Sequence, residues 1–113
     1  ARFRRAVFEM FGARCVVTGC ETLMALEAAH VLPVSSSGGD EGWNGIPLRA
    51  DLHRLFDAGA IMIDPTSWKL SVADAVREEY GQYHGLNLKP VIAGIDGAAK
   101  LAAALRERME IIG

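Results

Sequence analysis

Four residues in the middle of the chain have side chains suited to moving a proton and holding a cation: His30, Asn44, His53 and Asp57, separated by 14, 9 and 4 positions. An imidazole can accept a proton from water near neutral pH, and His30, at the end of an apolar run and beside a loop, is placed for that work. A hydrogen-bonded, partly buried histidine is the plain alternative. Asn44 lies in a Trp-Asn-Gly sequence, where Asn-Gly is an ordinary turn dipeptide. Its amide could also tie the two ends of a long loop together and so fix His30. On a helix, His53 and Asp57 are i and i+4, one turn apart on one face, a spacing that lets two side chains reach one cation or form a surface ion pair. An imidazole, a carboxylate and several waters suit Mg²⁺ or Mn²⁺ acting on phosphate, and imidazole also suits zinc or nickel. Arg49 and Arg54 flank these groups and are candidates for binding a phosphate backbone.

The composition bounds what surrounds these residues. The chain has 113 residues, half of them hydrophobic, which suffices for one domain with a modest core. The net charge of −2 argues against gripping nucleic acid by bulk electrostatics. Basic character is local: Arg2, Arg4, Arg5 and Arg14 make the N-terminal end positive. No run of about eighteen apolar residues and no secretory-type N-terminus is present, so a cytoplasmic protein with no membrane contact is the expectation. The chain begins at Ala1, as a fragment of a longer, multidomain protein would. The two cysteines, Cys15 and Cys20, are too few for a disulfide framework, and reduced thiols at the ends of a β-turn are the preferred reading.

Several elements can be read in order. Arg2 to Phe11 has helical spacing, with Phe3, Val7 and Phe11 inward and the arginines outward, and Gly12 supplies a stop. Arg14 to Thr18 and Ala25 to Leu32 read as two strands of a hairpin, the second ended by Pro33, with His30 near its exit. Val34 to Gly45 is a Gly- and Ser-rich loop, long enough to call for a functional reason. Leu48 to Ala58 has helical periodicity, with Gly59 where a left-handed cap is wanted. Ala60 to Asp64 and Trp68 to Val72 alternate like strands of a second hairpin. Ala73 to Tyr80 reads as a short helix, the stretch after Lys89 as a connector, and Ala98 to Met109 as an amphipathic helix. Trp43 could stack on a base, although anchoring the loop to the core is its more ordinary use. Trp68 is read as packing, and His84 has no partner pattern.

The segments AAHVLP, GG, WNGIPL, LHRLFDAG and IMID, in that order, resemble the HNH endonuclease family over roughly Arg14 to Val72. The resemblance implies an α+β fold: a ββα-metal core, here with an N-terminal helix, a second β-hairpin and C-terminal helices. It also implies hydrolysis of DNA phosphodiesters, with His30 as general base, Asn44 as the loop-holding residue, His53 as metal ligand and Asp57 as a further ligand or its hydrogen-bond partner. The implied cofactor is one divalent metal ion, Mg²⁺ first, with Mn²⁺, Ni²⁺ or Zn²⁺ as alternatives. The implied partner is DNA, selected by a recognition domain in the same polypeptide, as in a restriction or phage-defence protein. Double-strand cutting by a one-site domain would call for two copies, which leaves a homodimer open.

One departure stands out. Many members carry a metal ligand immediately before the base, where this chain has Ala29. Either Glu27, Asp40, Glu41 or water fills in, or the metal site is weak. Many members also brace the core with zinc held by two CxxC pairs, and with only Cys15 and Cys20 the expectation is a brace built by the terminal helices. Two other readings stay open: a ββα module that binds nucleic acid without cutting it, motivated by Ala29, and a zinc-stabilised interaction module using Cys15 and Cys20 with His30 and His53.

Overall fold

The computed structural model describes residues 2–33 and 39–112. Helix α1 (Arg2–Phe11) is followed by a turn, strand β1 (Leu26–His30), strand β2 (Gly45–Arg49) and helix α2 (Ala50–Asp57). Strands β3 (Ile61–Ile63) and β4 (Leu70–Val72), short helices α3 (Arg77–Tyr80) and α4 (Lys89–Ile92), and a long helix α5 (Ala98–Ile112) complete the chain. Two antiparallel two-stranded sheets, β1 with β2 and β3 with β4, make the fold α+β. Among the described residues no helix is long and apolar enough to cross a membrane.

The first sheet differs from the expected hairpin. Residues 14–18 form a turn, not a strand, and β1 pairs instead with β2, from Leu26 opposite Arg49 to His30 opposite Gly45. Arg14 to Thr18 remains attached to the sheet through the Val16 N–H, which donates to the Pro47 carbonyl at 3.1 Å. That bond shows how a proline fits within β2: Pro47 turns its backbone away from β1, so its missing N–H removes nothing from the ladder. The ribbon is covered on both faces. Glu27, Ala29, Ile46 and Leu48 share the side facing α2, while Ala28, His30, Gly45 and Pro47 share the side facing α1. All of β2 but Arg49 is therefore buried, and the alternation that marks a half-buried strand is absent. This is why Gly45 to Arg49 reads as the end of a loop and the start of a helix, and why α2 begins at Ala50 instead of Leu48.

Gly45 is required by close packing. A Cβ there would lie 2.5 Å from Phe3 Cζ and 2.6 Å from Val7 Cγ2, so only glycine lets α1 approach the ribbon. Val7 is fully buried as expected, but Arg4 does not face outward: its guanidinium donates to the carbonyls of Leu26 and Leu23 and lies 4.5 Å over the Phe8 ring. Gly59 ends α2 at φ 75°, the left-handed cap anticipated from its position.

The remaining elements depart in small ways. β3 and β4 are each shorter than expected, with Trp68 buried in the turn before β4. The expected helix Ala73 to Tyr80 splits into a tight turn at Asp74–Val76 and α3. The connector contains α4, and α5 extends past Met109 to Ile112. Helix α5 buries Leu101, Ala104 and Leu105 in the same apolar cluster that holds Leu52, Phe56 and Ile46, so the C-terminal helix packs on the ββα unit. Residues 34–38 of the predicted loop lie outside the described residues; the loop's last part is a tight turn at Gly42–Asn44 that leads into β2.

Candidate functional site

On the α1 side of the ribbon, His30 ends β1 with its side chain 30% exposed. Its Nε2 lies 3.0 Å from Asp40 Oδ1, and its ring lies on Phe3 with centroids 3.6 Å apart and planes 4° from parallel. Asn44 is fully buried and forms the expected clasp. Its Oδ1 accepts from the Leu32 N–H at 3.0 Å, and its Nδ2 donates to the Leu32 carbonyl at 3.0 Å and the Gly39 carbonyl at 2.9 Å. The backbone adds one more tie, with the Val31 N–H donating to the Asn44 carbonyl at 2.9 Å. Burial makes these bonds matter, because without Asn44 the Leu32 amide and carbonyl would be left unpaired away from water. Both ends of the long loop are held at the exit of β1.

On the α2 side, His53 and Asp57 leave the helix one turn apart, as i,i+4 geometry requires, with His53 Nε2 and Asp57 Oδ2 3.3 Å apart. The other ring nitrogen, Nδ1, lies 2.6 Å from Glu27 Oε1. Of the groups that could stand in for the missing ligand at Ala29, Glu27 is the one that reaches His53, from the same face of β1, whereas Asp40 goes to His30. A carboxylate on one nitrogen of an imidazole orients the other nitrogen toward a cation. Ala29 itself is fully buried beneath α2. Among the described residues no three His, Cys, Asp or Glu side chains converge to form a metal cage. Cys15, Cys20, His30 and His53 are thus not drawn together. What remains is one imidazole nitrogen and one hard carboxylate, His53 Nε2 and Asp57, with side chains 24% and 60% exposed. That fits a cation such as Mg²⁺, which keeps several waters and takes few protein ligands.

A residue that sequence reasoning did not single out joins the two sides. Arg108, on α5, donates from Nη1 to the Val31 carbonyl at 2.8 Å and from Nη2 to the Phe56 carbonyl, with its guanidinium 3.8 Å over the Phe56 ring. Val31 follows His30 and Phe56 precedes Asp57, so one planar fork holds the exit of β1 against the last turn of α2. Burial pushes the Arg108 guanidinium down from its ordinary range, against the opposing field of Asp57. No sequence signal distinguishes Arg108 from its neighbour Arg106, since both lie on a helix rich in charge.

The two candidate phosphate-binding arginines differ. Arg49 is committed to Asp51 through two bonds, Nε to Oδ1 at 2.7 Å and Nη2 to Oδ2 at 3.0 Å. Hydrogen bonding to Asp51 raises the Arg49 guanidinium above its usual range, and the Arg49 hydrogen bond holds the Asp51 carboxyl below the usual carboxylate range. Tyr80 also donates to Asp51 Oδ2 at 3.0 Å. Arg54, next to His53, is exposed. Cys15 and Cys20 are free and close a turn in which the Thr18 N–H donates to Cys15 Sγ at 3.4 Å. Trp43 packs against the core beside Gly97, with Lys100 6.0 Å from its ring, so it anchors the loop to the C-terminal helix. His84 Nδ1 accepts the Val72 N–H at 3.0 Å, a structural bond in the second sheet.

The strand ending in histidine, the loop clasped by asparagine and the helix bearing a second histidine all lie in the part of the chain that the family model described as HNH endonuclease matches. Residues 15–64 match the HNH endonuclease family. A comparison with curated proteins finds no match. The HNH segment runs from the Cys15 turn through β1, β2 and α2 to the end of β3. Phe3 and Arg108, which press on it from α1 and α5, lie outside the matched residues.

Proposed function

We infer that this HNH domain hydrolyses phosphodiester bonds in DNA. The observation that carries the reading is the Arg108 bridge, which holds the strand end bearing His30 beside the helix turn bearing Asp57. With the strand end that carries His30 held against the helix turn that carries Asp57, a phosphate lying there could meet both a base and a cation ligand. His30 takes a proton from water, and the resulting hydroxide oxygen attacks phosphorus. His53 and Asp57 would hold one divalent ion, Mg²⁺ first among Mn²⁺, Ni²⁺ and Zn²⁺, which would supply Lewis-acid stabilisation of charge on the phosphate. Glu27 orients His53. The exposed Arg54 is the freer arginine for a neighbouring phosphate, because Arg49 already serves Asp51. The products are 5′-phosphate and 3′-hydroxyl ends.

With a net charge of −2, the domain relies on a recognition module in the same polypeptide for affinity, as the cutting part of a restriction or phage-defence protein would. The experiment is cleavage of supercoiled plasmid in Mg²⁺, Mn²⁺ or Ni²⁺. Wild-type protein should nick the plasmid, and His30→Ala should lower the rate by about 10²- to 10⁴-fold. Nicking that persists in His30→Ala would sink the assignment of the base. The buried Ala29 favours a second reading, a module that binds without cutting. That reading predicts DNA binding with an inactive wild type at high protein concentration.

A further inference from the structure

His30 is constrained more tightly than a proton acceptor alone requires. Its Nε2 faces Asp40 Oδ1 at 3.0 Å, and the hydrogen bond made by one ring nitrogen decides which nitrogen carries the proton. With Nε2–H donating to Asp40, Nδ1 is left as the acceptor. The ring plane is set separately by Phe3, stacked at 3.6 Å and 4° from parallel. Gly45 makes that stack available. It sits opposite His30 in the ribbon, and any Cβ there would strike Phe3 Cζ at 2.5 Å. Asp40 is in turn placed by the clasp, because Asn44 Nδ2 donates to the carbonyl of Gly39, one residue earlier, at 2.9 Å.

We propose that Asp40 and Phe3 are positioning residues for His30: Asp40 keeps the proton on Nε2 so that Nδ1 receives the proton of the attacking water, and Phe3 holds the ring in the plane where it does so. The proposal rests on His30 being the general base. In the step it serves, water gives one proton to Nδ1 as its oxygen bonds to phosphorus. The bond from phosphorus to the 3′ oxygen breaks, and that oxygen takes a proton from solvent. The imidazolium, paired through Nε2–H with the Asp40 carboxylate, then returns its proton to solvent. Asn44 acts on this arrangement at two points, through Leu32 beside the strand end and through Gly39 beside Asp40.

A bystander Asp40 would behave differently. Its side chain is 62% exposed, and an exposed carboxylate near a polyanion weakens binding, so removing it should leave kcat alone and lower KM. The test is steady-state plasmid nicking by wild type, Asp40→Asn, Asp40→Glu and Phe3→Leu, with proton NMR of the His30 ring on the same proteins. Asp40→Asn should lower kcat by about tenfold to a hundredfold with KM within about twofold, and Asp40→Glu, which keeps the carboxylate, should recover most of the loss. Phe3→Leu keeps apolar volume but not the ring. It should lower kcat about tenfold and abolish the upfield ring-current displacement of the His30 ring protons. An active wild type whose Asp40→Asn and Phe3→Leu variants keep kcat within about twofold overturns the proposal alone. A wild type inactive with all three metals overturns the nuclease reading and the proposal together.

Discussion

On the strand side of the site, His30 is held by a stacked ring, a carboxylate and a loop end tied down by a buried asparagine. On the helix side, His53 lies between two exposed carboxylates, Glu27 at 50% and Asp57 at 60% exposure. Under the proposed roles, the contrast follows from what each side would have to do. A general base must present one nitrogen at one angle, and over-determining it with packing and buried hydrogen bonds costs nothing in the reaction. A metal-binding pair must admit an ion, its waters and a phosphate, so it stays open, and exposed pairs of this kind contribute little to stability. Damage to the strand side should therefore appear in folding and rate together, and damage to the helix side in metal dependence.

The largest expected effect comes from Asn44→Ala. Loss of the clasp leaves the buried Leu32 N–H and carbonyl without partners, a cost of roughly 3 kcal/mol, measured by chemical denaturation, and cleavage should fall with it. An Asn44→Ala protein as stable as wild type would erase the contrast between the sides. Next, His53→Ala should lower cleavage at low metal concentration about tenfold to a hundredfold, recover partly as metal is raised, and change stability by less than about 1 kcal/mol. A large fall in melting temperature would mean that His53 is structural. Arg108→Leu breaks the fork that joins the sides. It should cost about 2 kcal/mol, and Arg108→Lys should not restore it, since an ammonium cannot span two carbonyls as a planar guanidinium does.

The smallest effect is pH-dependent. The Arg49 hydrogen bond lowers the Asp51 carboxyl from its ordinary value of 3.8. A group with a lower pKa in the folded state adds stability that is present above the unfolded value and lost as pH falls through the folded one. Asp51→Asn should therefore destabilise at neutral pH by under about 1 kcal/mol, because the pair is partly exposed and screened. Its difference from wild type should close as pH falls below the ordinary carboxylate range. A gap unchanged in acid would assign the effect to something other than this carboxylate.

The spacing of His30, Asn44, His53 and Asp57, the amphipathic stripes of α1, α2 and α5, and the left-handed cap at Gly59 were all legible in the residues themselves. Each rests on a local rule: helical periodicity, glycine's freedom at positive φ, or short ordered motifs. The sheet partner was not legible. Gly45 to Arg49 is covered on both faces and contains a proline, so it shows no strand period, whereas Arg14 to Thr18 has β-branched residues but only caps the outer edge through Val16. Pairing across a loop is decided by which surfaces can be buried together, and that information is spread over α1, α2 and α5. The same holds for Phe3, Asp40, Glu27 and Arg108. Each has an ordinary identity in the sequence and acquires a role through a contact with a residue 27, 10, 26 or 77 positions away. Local chemistry in the sequence determined which groups could react, and tertiary packing decided which of them are held, by what, and how firmly.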